Sequence, residues 1–221
     1  MRVKKVPNFG VLLLVLCLLI VIAPIATSPA TAFAIELLFN VVFIAGAYWL
    51  ASGDSTRWVY LCLTLAALVT RWAALLTGAP WLQVTSATVT LFWFALSIAL
   101  IFGELARRRD VDANTIMGAV VAYLLLAVAF AYLYGIIEHI NPGSFSGIPA
   151  ETGRTNLSDA LIYFSLVTLT TVGYGDIVAV SGPARPLAGL EAACGTLYVA
   201  VMIARLVALE VAARLRGHGE R

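Results

Sequence analysis

The sequence predicts an all-α membrane protein, with six transmembrane helices per subunit and a re-entrant helix plus an extended segment between the last two. Three observations carry that expectation. Of 221 residues, 62% are hydrophobic and 12% are charged, where a soluble domain carries about 25% charged residues. Six apolar runs reach the roughly 20 residues needed to cross a bilayer. One long interval, residues 140–185, is too polar and too interrupted to cross. The mean hydropathy of +0.96 says the same. A net charge of +2 offers no broad basic surface for nucleic acid.

The expected spans are 9–27, 32–52, 57–77, 81–103, 115–139 and 186–213. Turn chemistry separates them: "SPAT" at 28–31, "SGDS" at 52–55, "GAP" at 78–80 and "RRRDVD" at 107–112. Residues 1–110 form a four-helix domain and residues 111–221 a second domain. The first run, with "MRVKK" before it and "ATA" at 30–32, shares features with a secretory signal. It is long enough to span with its flanks, and retention is expected.

Short connections rich in Lys and Arg face the cytoplasm. Arg2, Lys4, Lys5, Arg57, Arg107, Arg108, Arg109, Arg214, Arg216 and Arg221 fall on one side of a six-span chain; Arg154 and Arg185 fall on the other. Both termini are therefore expected in the cytoplasm of a cell (inner or plasma) membrane, with 140–185 outside. Cys17, Cys62 and Cys194 show neither metal-ligand spacing nor a disulfide framework and read as small buried hydrophobes. His139 and His218 are isolated.

Within the interval, 140–157 reads as an exposed loop. "GSFSG" there fails as a nucleophile elbow, because Phe145 holds the position that needs serine. "SDALIYFSLVTLT", 158–170, reads as a helix with Ser158 at its N-cap and Asp159 in its first turn. It is too short to cross. "TVGYG", 171–175, and Asp176 follow. Irregular backbone at membrane depth is tolerated only when buried in protein or lining water. Gly173 and Gly175 can take positive φ, so successive carbonyls can point one way. Four copies around an axis would stack squares of oxygen.

"TLTTVGYGD" behind a short helix resembles the potassium channel signature. The pore resemblance extends over about 115–210, and the six-segment layout is similar to a bacterial subfamily with four helices ahead of the pore. It implies a homotetramer in membrane lipid, passing K+ (with Rb+ able to substitute) passively and with no cofactor. The carbonyls of Thr171, Val172, Gly173, Tyr174 and Gly175, with the Thr171 hydroxyl, would hold the ion. Asp176, Tyr163, Phe164, Thr168 and Thr170 would support this filter. Tyr174 is expected to point away from the pore and pack on aromatic neighbours such as Tyr163 and Phe164. Where relatives place an acid behind the filter this chain has Val167, so fewer polar braces are expected. Tyr163 is a candidate donor to Asp176, and Glu191 a candidate brace from the last helix. Gly195, at the family's hinge position, serves as a bend or as a close contact. Thr196, Val199, Ile203 and Val207 would line the cavity. Small residues recurring every four positions from Ala192 to Ala212 would let helices approach closely.

Six segments plus a pore also invite voltage gating, which needs several basic residues crossing the field. The fourth span has none. Arg107, Arg108 and Arg109 lie beyond its end and meet anionic headgroups. Arg71 is expected to pair with Glu36 or to snorkel, and Arg205 to pair with Glu210 or Glu104. Glu138, Glu151 and Asp159 read singly as solvated loop charges, or together as acids that attract cations to the mouth. With about eight residues after the last span, no regulatory domain is expected there. A transporter would show internal repeats, and an enzyme buried nucleophiles, bases or metal ligands; neither pattern is present. The remaining alternative is a weakly selective monovalent cation channel.

Overall fold

A computed structural model describes residues 9–22, 37–42, 54–107, 112–148 and 154–219. Its elements are α1 (Phe9–Ile22), α2 (37–42), α3 (Asp54–Thr77), α4 (Pro80–Arg107), α5 (Ala113–Ile140), β1 (Phe145–Ser146), α6 (Arg154–Leu169), β2 (Val178–Ala179) and α7 (Ala184–Gly219). Among the described residues four helices are long and apolar enough to cross a membrane: α4, α5 and the apolar parts of α3 and α7. The described part of the first expected span is 14 residues long, and most of the second expected span lies outside the described residues.

The helices pack in chain-neighbour fashion: α3 on α4, α4 on α5, α1 on α5, then α5 on α6 and α7. Two apolar cores result. One, around Phe9, Tyr60, Trp93, Phe94 and Leu125, joins the leading helices to α5. The other, around Tyr134, Phe145, Leu161 and Phe164, joins α5 to α6 and the start of α7. Helix α5 belongs to both and is the common wall.

Polar groups sew the leading helices together. The Trp93 indole N–H donates to Thr64 (2.9 Å), and Tyr60 and Ser97 hydroxyls meet at 2.8 Å. Between apolar helices such bonds average roughly 0.6 kcal/mol each. Asp112 caps α5, accepting from the Thr115 amide at 2.8 Å. Two residues beyond the cap, Asn114 accepts from the Phe9 amide at 2.9 Å and so satisfies a donor at the start of α1. The Phe9 ring lies against Gly118, where an added Cβ would sit 2.8 Å from it.

Two expectations, the burial of the cysteines and the cap of the short helix, need correction here. Cys17 and Cys62 are exposed on the single chain, not buried; facing hydrocarbon costs a thiol little, so an apolar run does not tell inside from lipid side. Helix α6 starts at Arg154, four residues before Ser158, so Ser158 sits inside the helix and not at its cap. Thr155 and Asn156 carry no hydrophobic period, yet each costs a helix only a few tenths of a kcal/mol, roughly 0.7 at most. Arg71 donates to the Tyr132 hydroxyl (2.7 Å) and stacks on Phe39 (4.4 Å to the ring centroid); Glu36 lies outside the described residues. Arg205 donates to the backbone carbonyl of Leu105; the Glu210 side chain lies outside the described residues.

Candidate ion-conduction site

The site begins where α6 ends. The last four carbonyls of a helix lack intrahelical partners, and here each is taken up locally. Leu166 accepts from the Thr170 amide (3.0 Å), Thr168 from the Thr171 amide (3.0 Å), and Leu169 from the Tyr123 hydroxyl of α5 (3.0 Å). Val167 accepts twice, from the amides of Val172 (2.9 Å) and Gly173 (3.2 Å).

That double acceptance orients the chain. In a trans peptide the C=O of one residue points opposite to the next residue's N–H, and the described residues contain no cis bond. Two successive amides aimed at one oxygen mean that the Thr171 and Val172 carbonyls both point away from α6. A β-strand would alternate them. The dihedrals agree: φ is +61° at Thr171, +57° at Gly173 and +78° at Gly175, a positive value at every second residue. Thr171 was not expected to join this pattern. A β-branched residue at positive φ is an outlier, held here by its amide bond to Thr168. All of residues 171–176 are exposed on the single chain.

The exit of the candidate filter, residues 171–175, is held from two directions. Tyr163 of α6 donates to Asp176 Oδ2 at 2.8 Å, and this bond holds the Asp176 carboxyl below the usual carboxylate range. From the other side, β1 pairs antiparallel with β2, Phe145 opposite Ala179 and Ser146 opposite Val178. Glu138 fastens the loop that carries β1, accepting from the amides of Gly143 (2.7 Å) and Phe145 (3.2 Å). Gly147, at φ +89°, lies so close to the exit that an added Cβ would fall 1.8 Å from the Asp176 carbonyl oxygen.

Behind the filter, α5, α6 and α7 meet in two layers one helical turn apart. In the first, Glu191 is fully buried, with Tyr134 donating to its Oε2 at 2.5 Å and its Oε1 hydrogen-bonded to Ser165; Ser165 also donates to the Ala127 carbonyl at 2.6 Å. In the second, the Leu169 carbonyl takes the Tyr123 hydroxyl and abuts Gly195, where a Cβ would lie only 2.0 Å from it. Residues 165 and 169 on α6 thus face 191 and 195 on α7.

Other expected site residues fall as follows. Phe164 does not pack on Tyr174; it is buried edge-on against Tyr134 and Phe145, centroids 5.2 and 5.3 Å away. Tyr174 is 72% exposed on the single chain. Glu191 contacts the pore helix at Ser165 and is not bonded to Asp176. Thr168 is half-buried; Thr170 donates its hydroxyl to Leu166. Thr196, Val199, Ile203 and Val207 lie on an uncovered face of α7. Of the mouth acids, Glu138 is engaged by the loop, Asp159 is half-buried on α6, and Glu151 lies outside the described residues. A cavity of about 290 Å³ opens beside the filter, bounded by Val167, Thr168, Arg185 and Ala188.

Residues 118–211 match the model of an ion channel family. They hold residues 171–176, most of both flanking helices and all the contacts just described. Over 87 residues the chain is 34% identical to Protein LctB of Bacillus caldotenax, covering 38% of this chain and 64% of that protein. Over 77 residues it is 36% identical to the inward rectifier potassium channel Kirbac3.1 of Paramagnetospirillum magnetotacticum, 35% of this chain and 22% of the relative. The putative potassium channel protein RPA4233 of Rhodopseudomonas palustris is 29% identical over 93 residues, 42% and 20% of the two chains. The chain thus spans from about a fifth to under two thirds of these relatives' lengths. The likenesses support a bacterial potassium channel pore module and place it among channels, not enzymes.

The double hold on the filter exit yields two expected results. Asp176 accepts from Tyr163 most strongly as the anion, so that bond persists above the ordinary carboxylate range and is lost as pH falls through the lowered value. Tyr163→Phe removes the main cause of the lowering, so acid inhibition of Rb+ flux is expected to begin at higher pH than in the native protein. A superimposable pH profile would show that the bond does not tune Asp176. Gly147→Ala forces Cβ into a backbone carbonyl and demands positive φ, at a cost of about 1–2 kcal/mol from the dihedral alone. Thermal unfolding should shift down by several degrees, whereas Gly143→Ala, which meets no atom within 4 Å, is expected to show only the dihedral cost.

Proposed function

We propose that the chain is one subunit of a homotetrameric, potassium-selective channel that passes K+ passively through the filter 171–175. The observation that carries this reading is the pair of amides from Val172 and Gly173 on the Val167 carbonyl. It leaves successive oxygens facing one way, as a dehydrated cation requires. Four copies would close the ring, with Thr171 adding a hydroxyl oxygen.

Two surfaces support assembly around the filter. Helix α7 leaves Leu197, Val199, Val201, Ile203 and Val207 between 43% and 63% exposed on its own chain. Tyr174 projects outward, and the adjoining cavity beside Val167 and Thr168 has room for a neighbour's side chain. Thr196, Val199, Ile203 and Val207 would then line the conduction path below the filter. The carbonyl-rich end of α6 adds its dipole in favour of a cation there.

Gating by a basic helix is not part of this reading. Helix α4 carries one basic residue among its described positions, Arg107, in its last turn. The chain sits in the cell membrane with both termini cytoplasmic and residues 140–185 outside. The test is reversal potential in liposomes with opposed K+ and Na+ gradients. Selective conduction places the reversal near the K+ equilibrium value; a reversal near zero would replace this reading with that of a weakly selective monovalent cation channel.

A further inference from the structure

Glu191 is the fully buried carboxyl of the described residues that no conduction step above employs. It sits on α7 between α5 and α6. The groups facing it are hydroxyls: Tyr134 from α5 and Ser165 from α6, with Tyr123 of α5 as the next titratable group. No cation is recorded against it among the described residues.

Counting protons decides its state. A hydroxyl carries one proton and an ionised carboxylate none. Tyr134 donates its proton to Oε2. Ser165 has one proton, and two oxygens lie within bonding reach of its Oγ: Ala127 O at 2.6 Å and Glu191 Oε1. The Ala127 carbonyl cannot donate. If Glu191 were ionised, five oxygens would share three close contacts with only two protons, and one contact would be lone pair against lone pair. A proton on Oε1 resolves this. The relay then runs in one direction: Tyr134 O–H to Oε2, Oε1–H to Ser165 Oγ, Ser165 O–H to the Ala127 carbonyl.

We propose that Glu191 is a neutral carboxylic acid whose proton fastens the pore helix to both flanking helices, making it a positioning residue for the filter and the proton its regulatory ligand. The effect on conduction rests on the channel reading above; the protonation state does not. One turn along, Gly195 and Leu169 make the second layer of the same junction, and Val167, which holds the filter amides, lies midway between Ser165 and Leu169 on α6. Removing the proton puts a bare charge beside the Ser165 oxygen and pushes α6 from α7 at the base of the filter.

The test uses the full chain in liposomes. Infrared spectra in light and heavy water at neutral pH should contain a carboxylic acid C=O stretch that disappears in Glu191→Gln. Rb+ flux of the native protein should fall about tenfold or more as alkali removes that band, and the two titrations should coincide. Glu191→Gln keeps a donor for Ser165 and an acceptor for Tyr134, so its flux should lose the alkaline limb. If that variant does not fold, Ser165→Ala is read instead; it removes the acceptor, and the band should move to the frequency of a more weakly bonded acid. Only an ionised-carboxylate signal at neutral pH, or a band that survives Glu191→Gln, overturns the protonation. A coincident band with flat flux overturns the regulatory role. Absence of flux at every pH, with the band present, counts against the channel reading and leaves the protonated acid standing.

Discussion

Gly173→Ala is expected to abolish Rb+ flux while leaving helix content unchanged. Its φ of +57° sits in the left-handed region, and no atom lies within 4 Å of an added Cβ. The substitution is therefore a test of dihedral and not of space. An L side chain there costs about 1–2 kcal/mol per residue, and in the proposed tetramer four such residues act together. Alanine escapes by taking negative φ. That rotation turns the peptide between Val172 and Gly173, breaks the Gly173 amide's bond to Val167 and swings the Val172 carbonyl off the row. The expected loss is about a thousandfold, from four costs of roughly 1 kcal/mol each. Flux within a few-fold of native would show that this peptide's orientation does not matter for conduction.

The second large effect is expected at Gly195. Alanine there places Cβ at 2.0 Å from the Leu169 carbonyl oxygen and 2.9 Å from its carbon. Both are backbone atoms, so no rotamer relieves the clash; α7 has to move off α6. Overpacking a tight site costs about 1–3 kcal/mol. Here the shift also strips the Leu169 carbonyl of its place beside Tyr123 and disturbs Glu191, four residues earlier on the same helix. Thermal unfolding should fall by about 4 °C or more per kcal/mol for a small domain, less for a larger one, and flux should fall with it. Gly189→Ala is the matched control: it lies on the same helix, meets nothing within 4 Å of its own chain and removes a helix glycine. Equal behaviour of the two variants would show that contact with Leu169 is not what glycine at 195 provides.

These effects converge on one junction. Ser165 and Leu169 of α6 are clasped by Tyr134, Ala127 and Tyr123 of α5 and by Glu191 and Gly195 of α7. Val167, between them, presents its carbonyl to the filter. A displacement of either flanking helix is thereby transmitted to the oxygens that would meet the ion. Helix α5 also carries Phe9 and the core of the leading helices. The leading helices therefore pack on the same wall, α5, that holds α6.

Periodicity and composition were enough for the four long apolar helices, the short helix and the extended segment after it, because burying apolar surface in lipid and breaking a helix with glycine are local preferences. Gly173 and Gly175 were legible for the same reason: positive φ is a property of one residue. Thr171 was not, since its side chain argues against the dihedral that its amide bond imposes. The first turn of α6 was hidden because Thr155 and Asn156 carry no apolar repeat. Glu191 showed as an acid in an apolar run, but its neighbours, 26 and 57 residues away in the chain, did not. Gly195 could be a bend or a contact until Leu169 was seen against it. Nothing in the run around Gly147 marks its approach to Asp176. A single chain in sequence carries local dihedral and solvent preferences; which helices touch, and which carboxyl keeps its proton, depends on distances between residues far apart along it, and those exist only after packing.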